Sequence, residues 1–352
     1  MAELCKKDPN PLFFDVVERN VFWEKVHGGL FPEDNLEYTR KYKAIVDKDR
    51  DYLFVIARYS YQLITNKDAL DEGKRIAKII FQDNYNNDHF KFDLYDFSIN
   101  TNRTNCAMIL ARDVDIKQPF ICDAWSPVFV VTNSYNKSVA LRYTIGFSYL
   151  RTNLIFPQTG KKFEIPIEKG STKCFHDQIS EIIYKKREHL FGLVNEAMSD
   201  FRIKIDRLKR QKVTNNMYLA MFCKFFKIEK SKYYIQEILV PNKTRKLIYW
   251  KDSFIDSWGK NSNKHGLNAY SFLLTILDYI TNCDVMKEAT DVYEYQLQAG
   301  KWADDYLSAA SSDNFDAMSY LGEYFNTSVW LEPLTELDVI KAERELENLK
   351  TK

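Results

Sequence analysis

The residues best suited to chemistry form a run of cations in the middle of the chain, here named the basic tract. Its sequence, RIKIDRLKRQK, carries Arg202, Lys204, Arg207, Lys209, Arg210 and Lys212. A second segment, TRKLIYWKDSF, brings Arg245, Lys246 and Lys251 next to Trp250. Lysine and arginine neutralise phosphates, and aromatic rings stack on bases of any sequence. Together the two segments predict contact with nucleic acid, and single-stranded DNA fits them best.

Charge is distributed unevenly along the chain, although the net charge is only +1. From Asp200 to Lys251 there are 14 lysines and arginines against 4 acidic residues. From Asp284 to Lys352, the acidic C-terminal third, there are 6 against 15. Such asymmetry indicates a charged partner or a contact between the two segments. Two solvated helix faces of opposite sign explain it equally well, and the sequence leaves these interpretations open. The acids in question include Asp304, Asp305, Asp313, Asp316 and Glu323.

Sequence motifs of the common enzyme and metal sites are missing. There is no GxGxxG, no phosphate-loop motif, no GxSxG and no HExxH. Cys174 and His176 would point to different sides of a helix, so they do not predict a metal site with His189. Residues 71–74, with the sequence DEGK, resemble part of a nuclease pattern but read as the exposed side of a helix. We therefore expect no enzyme, no cofactor and no metal ion.

Cysteine usage and hydropathy indicate the environment of the protein. The six cysteines are scattered without a CxxC pair, which is typical of thiols in a reducing compartment. No window reaches the ~18 consecutive apolar residues of a spanning helix, and no signal peptide is recognisable. We expect a soluble protein of the host cytoplasm without membrane contact.

Alternating apolar residues and turn signals predict an antiparallel sheet in the first half of the chain. YKAIV and YLFVIARYSYQLI, joined by residues 47–51, read as a hairpin. A helix should follow from Asn66, which reads as its N-cap, although Gly73 weakens it. Further strands are predicted for HFKFDLYDFSIN, CAMILARD, VFVVTNS and SVALRYTIGFSYL.

The last two of these strands have the most regular alternation. Tyr143 and Ile145 lie on one side of the return strand and Arg142 lies on the other. A period of two predicts one buried and one polar face. Residues 133–137 read as the turn, because Asn and Ser tolerate turn geometry. Arg142 and Arg151 are secondary candidates for contact with nucleic acid.

The second half of the chain has helical periodicity. Apolar residues from Phe175 to Leu208 recur at spacings of three, four or seven and predict one helix from Lys173 to Lys212, ~60 Å long. NNMYLAMFCKFFKI, LNAYSFLLTILDYITN and ELDVIKAERELENLKTK predict further helices, and KNSNKHG, residues 260–266, predicts a mobile loop.

These elements predict an α+β fold, with an antiparallel, hairpin-rich sheet followed by a long helix and a helical C-terminal half. The predicted domains are an N-terminal arm over residues 1–35 and an antiparallel sheet domain with one or two helices over 36–166. A helical region over 167–352 follows, with a basic centre and the acidic C-terminal third.

Several segments together resemble the phage/plasmid-like proteins grouped as domain of unknown function 932. The matching segments, spread from Tyr42 to Asn282, are YKAIV…YLFVIARYSYQLITNKDAL, VFVVTNSYNKSVALRYTIGFSYLRTN and HGLNAYSFLLTILDYITN. Family members usually carry His-Asp-Gly or Tyr-Asp-Gly where this chain has residues 135–137, YNK. The family's Arg and Cys align with Ser148 and Arg151 and are not kept. The resemblance implies a phage or mobile-element origin and no particular chemistry.

The leading functional prediction is a phage or mobile-element accessory protein that binds nucleic acid in recombination or annealing without catalysis. The alternative is a protein-binding module that acts in host takeover, against host defence or as part of an assembled phage particle. In that case the acidic C-terminal third would pair with a basic partner or with another copy of the chain.

Overall fold

Antiparallel strands make up the first half of the described chain and helices the second half, which confirms the predicted α+β class. The computed structural model describes residues 13–24, 36–81, 90–95, 107–113, 125–137, 140–149, 155–158, 164–167, 173–214, 217–227, 241–282 and 289–328. The chain divides into two compact units, residues 1–200 with 287–294 and residues 201–286 with 295–352. Each unit is described by itself.

A three-stranded antiparallel sheet begins the first unit. Its strands are β1 (Val16–Glu24), β2 (Leu36–Asp47) and β3 (Tyr52–Arg58), in that order. The predicted β2–β3 hairpin is confirmed. The Asp47 carboxylate shapes its turn by accepting hydrogen bonds from the backbone N–H groups of Asp49 and Arg50, at 3.1 and 3.3 Å. Strand β1 comes from the segment that was predicted as an arm.

A second antiparallel sheet has the strand order β4-β5-β6-β7-β8, and β9 also pairs with β7. The strands are β4 (Phe90–Tyr95), β5 (Ala107–Asp113), β6 (Trp125–Asn133), β7 (Arg142–Tyr149), β8 (Ile155–Pro157) and β9 (Glu164–Pro166). The β6–β7 hairpin is confirmed, but the prediction that β7 has a polar, exposed face is wrong. Thr144 and Ser148 are each only 1% exposed. Strand β7 is an interior strand whose small polar residues are covered as fully as the apolar ones.

Helix α1 (Asn66–Phe81) packs on the second sheet at Gly73. A Cβ atom at Gly73 would lie 3.0 Å from Cγ2 of Val131 and 3.2 Å from Cε1 of Tyr143. The glycine that lowers the helix propensity of this segment therefore permits close approach of the helix to the sheet. The hydroxyl of Tyr143 also donates to the carbonyl of Ala69, at 2.9 Å.

Thr65, rather than Asn66, caps helix α1. The Oγ1 atom of Thr65 accepts from the backbone N–H of Asp68 at 3.1 Å, which is the hydrogen bond of an N-cap residue, and donates to the Asp68 carboxylate at 2.7 Å. Asn66 is the first helical residue, and its side chain accepts a hydrogen bond from Nδ2 of Asn133 at 2.9 Å. The predicted cap is one residue too late because the asparagine is used in a tertiary contact.

The corner after β6, which was predicted as a turn, also links the two sheets. Nδ2 of Asn133 also donates to the carbonyl of Ile64 at 3.1 Å, and the backbone N–H of Asn66 donates to the hydroxyl of Tyr135 at 2.9 Å. The Tyr135 ring is 1% exposed and lies among the buried side chains of the first sheet, 5.3 Å from the ring of Phe54. The corner is therefore a buried connection between the first sheet, α1 and β6.

Helix α2 (Phe175–Arg210) has 36 residues and is roughly 54 Å long at 1.5 Å per residue. It agrees with the predicted helix to within two residues at each end. Its buried side includes Phe175, Ile179, Leu190, Leu193, Ala197, Phe201, Ile205 and Leu208. Ile183 and Val194, which belong to the same periodic series of apolar residues, are only half-buried. The boundary between the two units lies inside α2, after Asp200.

The second unit is helical and has an aromatic core. After the end of α2 it contains α3 (Tyr218–Phe226), α4 (Pro241–His265), α5 (Ala269–Asn282), the greater part of α6 (Ala289–Ala309), α7 (Ala317–Leu321) and α8 (Glu323–Ser328). The ring centroids of Phe222 and Phe254 lie 4.3 Å apart, and those of Phe272 and Trp302 lie 4.9 Å apart. The predicted helices at α3 and α5 are confirmed, and the one predicted over residues 336–352 lies outside the described residues.

The mobile loop predicted for residues 260–266 is wrong, because α4 continues to His265. Nδ2 of Asn261 donates to the carbonyl of Ser257 at 3.0 Å, and the backbone N–H of Gly266 donates to the carbonyl of Ser262 at 2.8 Å. Gly266 has a φ of +89° and ends the helix. The Asn, Ser and Gly residues that suggested a loop bind back onto the helix or terminate it.

Candidate nucleic-acid interface

The basic tract occupies the last turns of α2 and the residue pair that follows them. Phe201, Ile205 and Leu208 lie on the buried side of this segment and are each fully buried. Helical geometry consequently directs most of the cations toward other sides of the helix. After α2, the backbone is held against the start of α5, since the N–H of Val213 donates to the carbonyl of Leu267 and that of Ala269 to the carbonyl of Gln211.

Two cations of the tract contact α6 within the second unit. Nζ of Lys204 lies 2.6 Å from Oδ1 of Asp304, and the Lys204 side chain is only 13% exposed. The guanidinium of Arg207 donates to the carbonyl of Leu307 at 3.1 Å and to the hydroxyl of Ser311. The interpretation in which the basic tract docks on the acidic C-terminal third is therefore correct for these two side chains.

Lys209 has an aromatic neighbour. Its Nζ atom lies 5.3 Å from the ring centroid of Tyr270, a cation–π distance. Lys209 is half-buried, whereas Arg202, Arg210 and Lys212 are exposed. Among the described residues these three cations have no ion-pair partner, so their charges face solvent.

The remaining predicted cations belong to the first unit or have side chains outside the described residues. Arg142 lies in the first unit, where its Nη1 atom is 3.8 Å from Oε2 of Glu164. Arg151 lies outside the described residues. Helix α4 carries Arg245, Lys246, Lys251 and Trp250, whose side chains also lie outside the described part of the structure.

The acidic C-terminal third uses several of its carboxylates internally. Asp304 pairs with Lys204, as above. Asp316 caps α7, accepting from the backbone N–H groups of Met318 and Ser319 at 3.2 and 2.9 Å. The hydroxyl of Ser319 also donates to this carboxylate. That bond is the largest cause of a lowered pKa of Asp316, and the two backbone hydrogen bonds contribute to it as well. Asp316 thus has a structural role at a helix start, and Asp304 has one at a helix contact.

Residues 71–74 do not form the exposed helix side that was predicted, since Glu72 is buried. Its carboxylate accepts from Nη1 of Arg75 at 2.7 and 2.8 Å, and Nδ1 of His176 lies 2.6 Å from its Oε1 atom. Lys74, which a nuclease pattern would need beside this carboxylate, instead lies 3.8 Å from Asp71. The cluster joins α1 to the first turn of α2. In the part of the chain that the structure describes, no group of His, Cys, Asp or Glu side chains is arranged to hold a metal ion.

A second basic surface was missed by the sequence reasoning. Arg75 and the middle of α2 line an open groove of about 890 Å³ in the first unit, here named the Tyr184 groove. Its lining includes Tyr184, Lys185, Lys186, Arg187 and Glu188. The sequence did contain a signal for this surface. Residues 184–187, YKKR, interrupt the apolar series of α2 between Ile183 and Leu190 with three cations.

None of the described helices has the length and apolarity needed to cross a membrane. No protein-family model matches the chain, and no curated protein or solved structure matches it either.

Proposed function

We propose that this protein binds nucleic acid, single-stranded DNA in particular, through the exposed cations of the basic tract and without catalysing a reaction. The observation that carries the proposal is the exposure of Arg202, Arg210 and Lys212 in a basic tract whose other cations, Lys204, Arg207 and Lys209, are held by internal contacts. Guanidinium and ammonium groups that face solvent are available to phosphates, and each contact releases counterions from the strand.

The setting we propose is that of a phage or mobile-element accessory protein in the host cytoplasm, acting in recombination or annealing. The support for this setting is the resemblance of the segments spread from Tyr42 to Asn282. A protein-binding role for the acidic C-terminal third has less support, because Asp304 and Asp316 already serve contacts within the chain.

Binding of a fluorescent single strand at several salt concentrations tests the proposal. The variant is Arg202→Gln/Arg210→Gln/Lys212→Gln, and the matched control is Lys260→Gln/Lys264→Gln/Lys301→Gln, which removes the same charge from other exposed positions. For a single strand, the slope of log K against log salt is about −0.7 per phosphate contact, so the tract variant should lose a slope of about 2. The control should keep the wild-type slope.

Two outcomes overturn the proposal in different ways. If the wild type does not bind the single strand at about 50 mM salt, the proposed function is wrong. If the tract variant keeps the wild-type slope of log K against log salt, the basic tract is not the binding site. Because Arg210 and Lys212 lie at the carboxyl end of α2, where cations also offset the partial charge of the helix, a urea unfolding curve must accompany each variant.

A further inference from the structure

The Tyr184 groove exists because the buried side of α2 is interrupted. Ile179 and Leu190 are both fully or almost fully buried, and the residues near the same side between them are Ile183 and Lys186. Ile183 is half-buried and Lys186 is exposed. An ammonium group at this position does not pack against the unit, so the helix surface stays open over about one turn.

The lining of the groove has an excess of positive charge. Arg75, Lys185, Lys186 and Arg187 carry four cations, against the single carboxylate of Glu188. Arg75 is bound to Glu72, Lys185 pairs with Glu181, and the guanidinium carbon of Arg187 lies 5.4 Å from the ring centroid of Phe191. Lys186 has no hydrogen-bond or ion-pair partner among the described residues, so an anion in the groove would be its first.

Tyr184 presents an uncovered aromatic ring beside these cations. Tyr184 is 86% exposed, the highest value among the exposed large hydrophobic residues of the described chain. At about 100° per residue it lies roughly 140° around α2 from Ile179, away from the buried side. Neither helix packing nor a core contact explains a tyrosine there. A ring that is exposed next to Lys185 and Arg187 is the arrangement that stacks a base while its phosphates are neutralised.

We propose that the Tyr184 groove is a binding site for single-stranded nucleic acid, in which an unpaired base stacks on Tyr184 and the flanking phosphates contact Lys185 and Arg187. This inference rests on the proposed function and adds a second site, in the first unit, that selects unpaired bases. A volume of about 890 Å³ is within the range of small-ligand sites, so it accommodates a short piece of a strand and leaves the rest to other surfaces.

The test compares Tyr184→Leu with Tyr184→Phe, which keeps the ring, and with Tyr59→Leu, which removes an exposed tyrosine elsewhere in the first unit. The ligands are an oligothymidine of about 16 nucleotides, the abasic strand of the same length, the corresponding duplex and thymidine monophosphate with inorganic phosphate as competitors. We expect Tyr184→Leu to weaken binding of the oligothymidine roughly tenfold and to leave the abasic strand and the duplex within about twofold. Tyr184→Phe and Tyr59→Leu should match the wild type. Arg187→Gln should weaken the base-bearing and abasic strands alike.

The outcomes separate this inference from the proposed function. If the wild type binds the oligothymidine but Tyr184→Leu binds it equally well, the groove proposal is wrong and the basic tract stands. If Tyr184→Leu weakens all strands alike, Tyr184 has no stacking role and the proposal is also wrong. Full displacement by inorganic phosphate alone identifies a simple anion site, and displacement by thymidine monophosphate but not phosphate identifies a free-nucleotide site; either result contradicts a strand site. A wild type that binds no strand overturns the function and the groove together.

Discussion

The Nδ1 atom of His176 lies 2.6 Å from the Oε1 atom of Glu72, which joins the first turn of α2 to the middle of α1. The Glu72 side chain is only 4% exposed, whereas His176 is 63% exposed. The carboxylate is therefore the buried member of the contact, and Arg75 and His176 reach it from the solvent side. Loss of the negative charge would leave both groups without the acceptor that orders them.

Glu72→Gln tests this contact with little change of shape. Hydrogen bonds to a charged group are worth about 1.5–3 kcal/mol, so we expect the free energy of unfolding in urea to fall by about 1–2 kcal/mol. Asp71→Asn is the control, because Asp71 is exposed and its contact with Lys74 at 3.8 Å is a surface pair. Equal effects of the two substitutions would mean that the buried carboxylate contributes no more than a surface one.

Substitution of glycine by alanine should change the stability of the protein in opposite directions at Gly73 and at Gly192. Gly73→Ala gains helix propensity of about 1 kcal/mol, but its Cβ meets Val131 and Tyr143, and overpacking of this kind costs about 1–3 kcal/mol. At Gly192 on α2, no described residue outside the local helix lies within 4 Å of the position that a Cβ atom would take. Gly192→Ala should therefore stabilise the protein by about 0.5–1 kcal/mol. Thermal unfolding of both variants checks the pair, and stabilisation by Gly73→Ala would contradict the close approach of α1 to the sheet.

The buried tyrosines predict a loss of stability at alkaline pH. Burial raises the pKa of Tyr306 from 10.0 to about 12, with Tyr320 as a smaller cause. The unfolded chain releases this proton near pH 10 while the folded chain keeps it, so the stability is intact below pH 10 and falls as the pH rises toward about 12. Tyr306→Phe should flatten the fall of the unfolding midpoint between pH 10 and 12. Tyr184→Phe should leave the fall of the midpoint unchanged, since that ring is exposed in the folded chain. If Tyr306→Phe showed the same fall as the wild type, Tyr306 would not be the cause of the alkaline loss of stability.

Substitution of Lys204 tests whether a cation of the basic tract that is paired within the chain also contributes to binding of nucleic acid. In a double-mutant cycle with Lys204→Gln and Asp304→Asn, we expect a coupling of about 0.5–1 kcal/mol in the free energy of unfolding, because the pair is only partly buried. Lys204→Gln should also keep the salt dependence of single-strand binding. A reduced slope would show that Lys204 contacts phosphate in the complex and that its pairing with Asp304 is broken there.

The sequence predicted those elements whose periodicity is enforced by burial on one side. The hairpin β2–β3 and the helix α2 have such patterns, and they were placed correctly. The hairpin β6–β7 was placed correctly from its alternation, although β7 is buried on both faces. The long-range use of polar residues was not predictable in the same way. Asn66 has the sequence signature of a cap and Glu72 that of an exposed helix side, yet each is bound by a residue that lies far away in the sequence, Asn133 and His176 respectively.

The sequence predicted that the candidate site is positively charged, but it did not predict which of its cations face solvent. The cations of RIKIDRLKRQK are evident in the sequence, but which of them face solvent depends on where α6 lies, and this depends on the packing of the second unit. Lys204 and Arg202 are only two residues apart, and one is held by Asp304 while the other is exposed. Local sequence contains no information that distinguishes them.

Tyr135 completes the core of the first sheet from a position about eighty residues beyond the β2–β3 hairpin, and this has a consequence for synthesis of the chain. The hairpin leaves the ribosome first, and the side chains of Ile45 and Phe54 are only partly covered, by neighbours such as Phe14 and Val16, until β6 and its corner emerge. During that interval the nascent chain presents an apolar sheet face to chaperones and to neighbouring chains. Newly made protein, rather than the folded form, is then the state in which this protein is most exposed to aggregation.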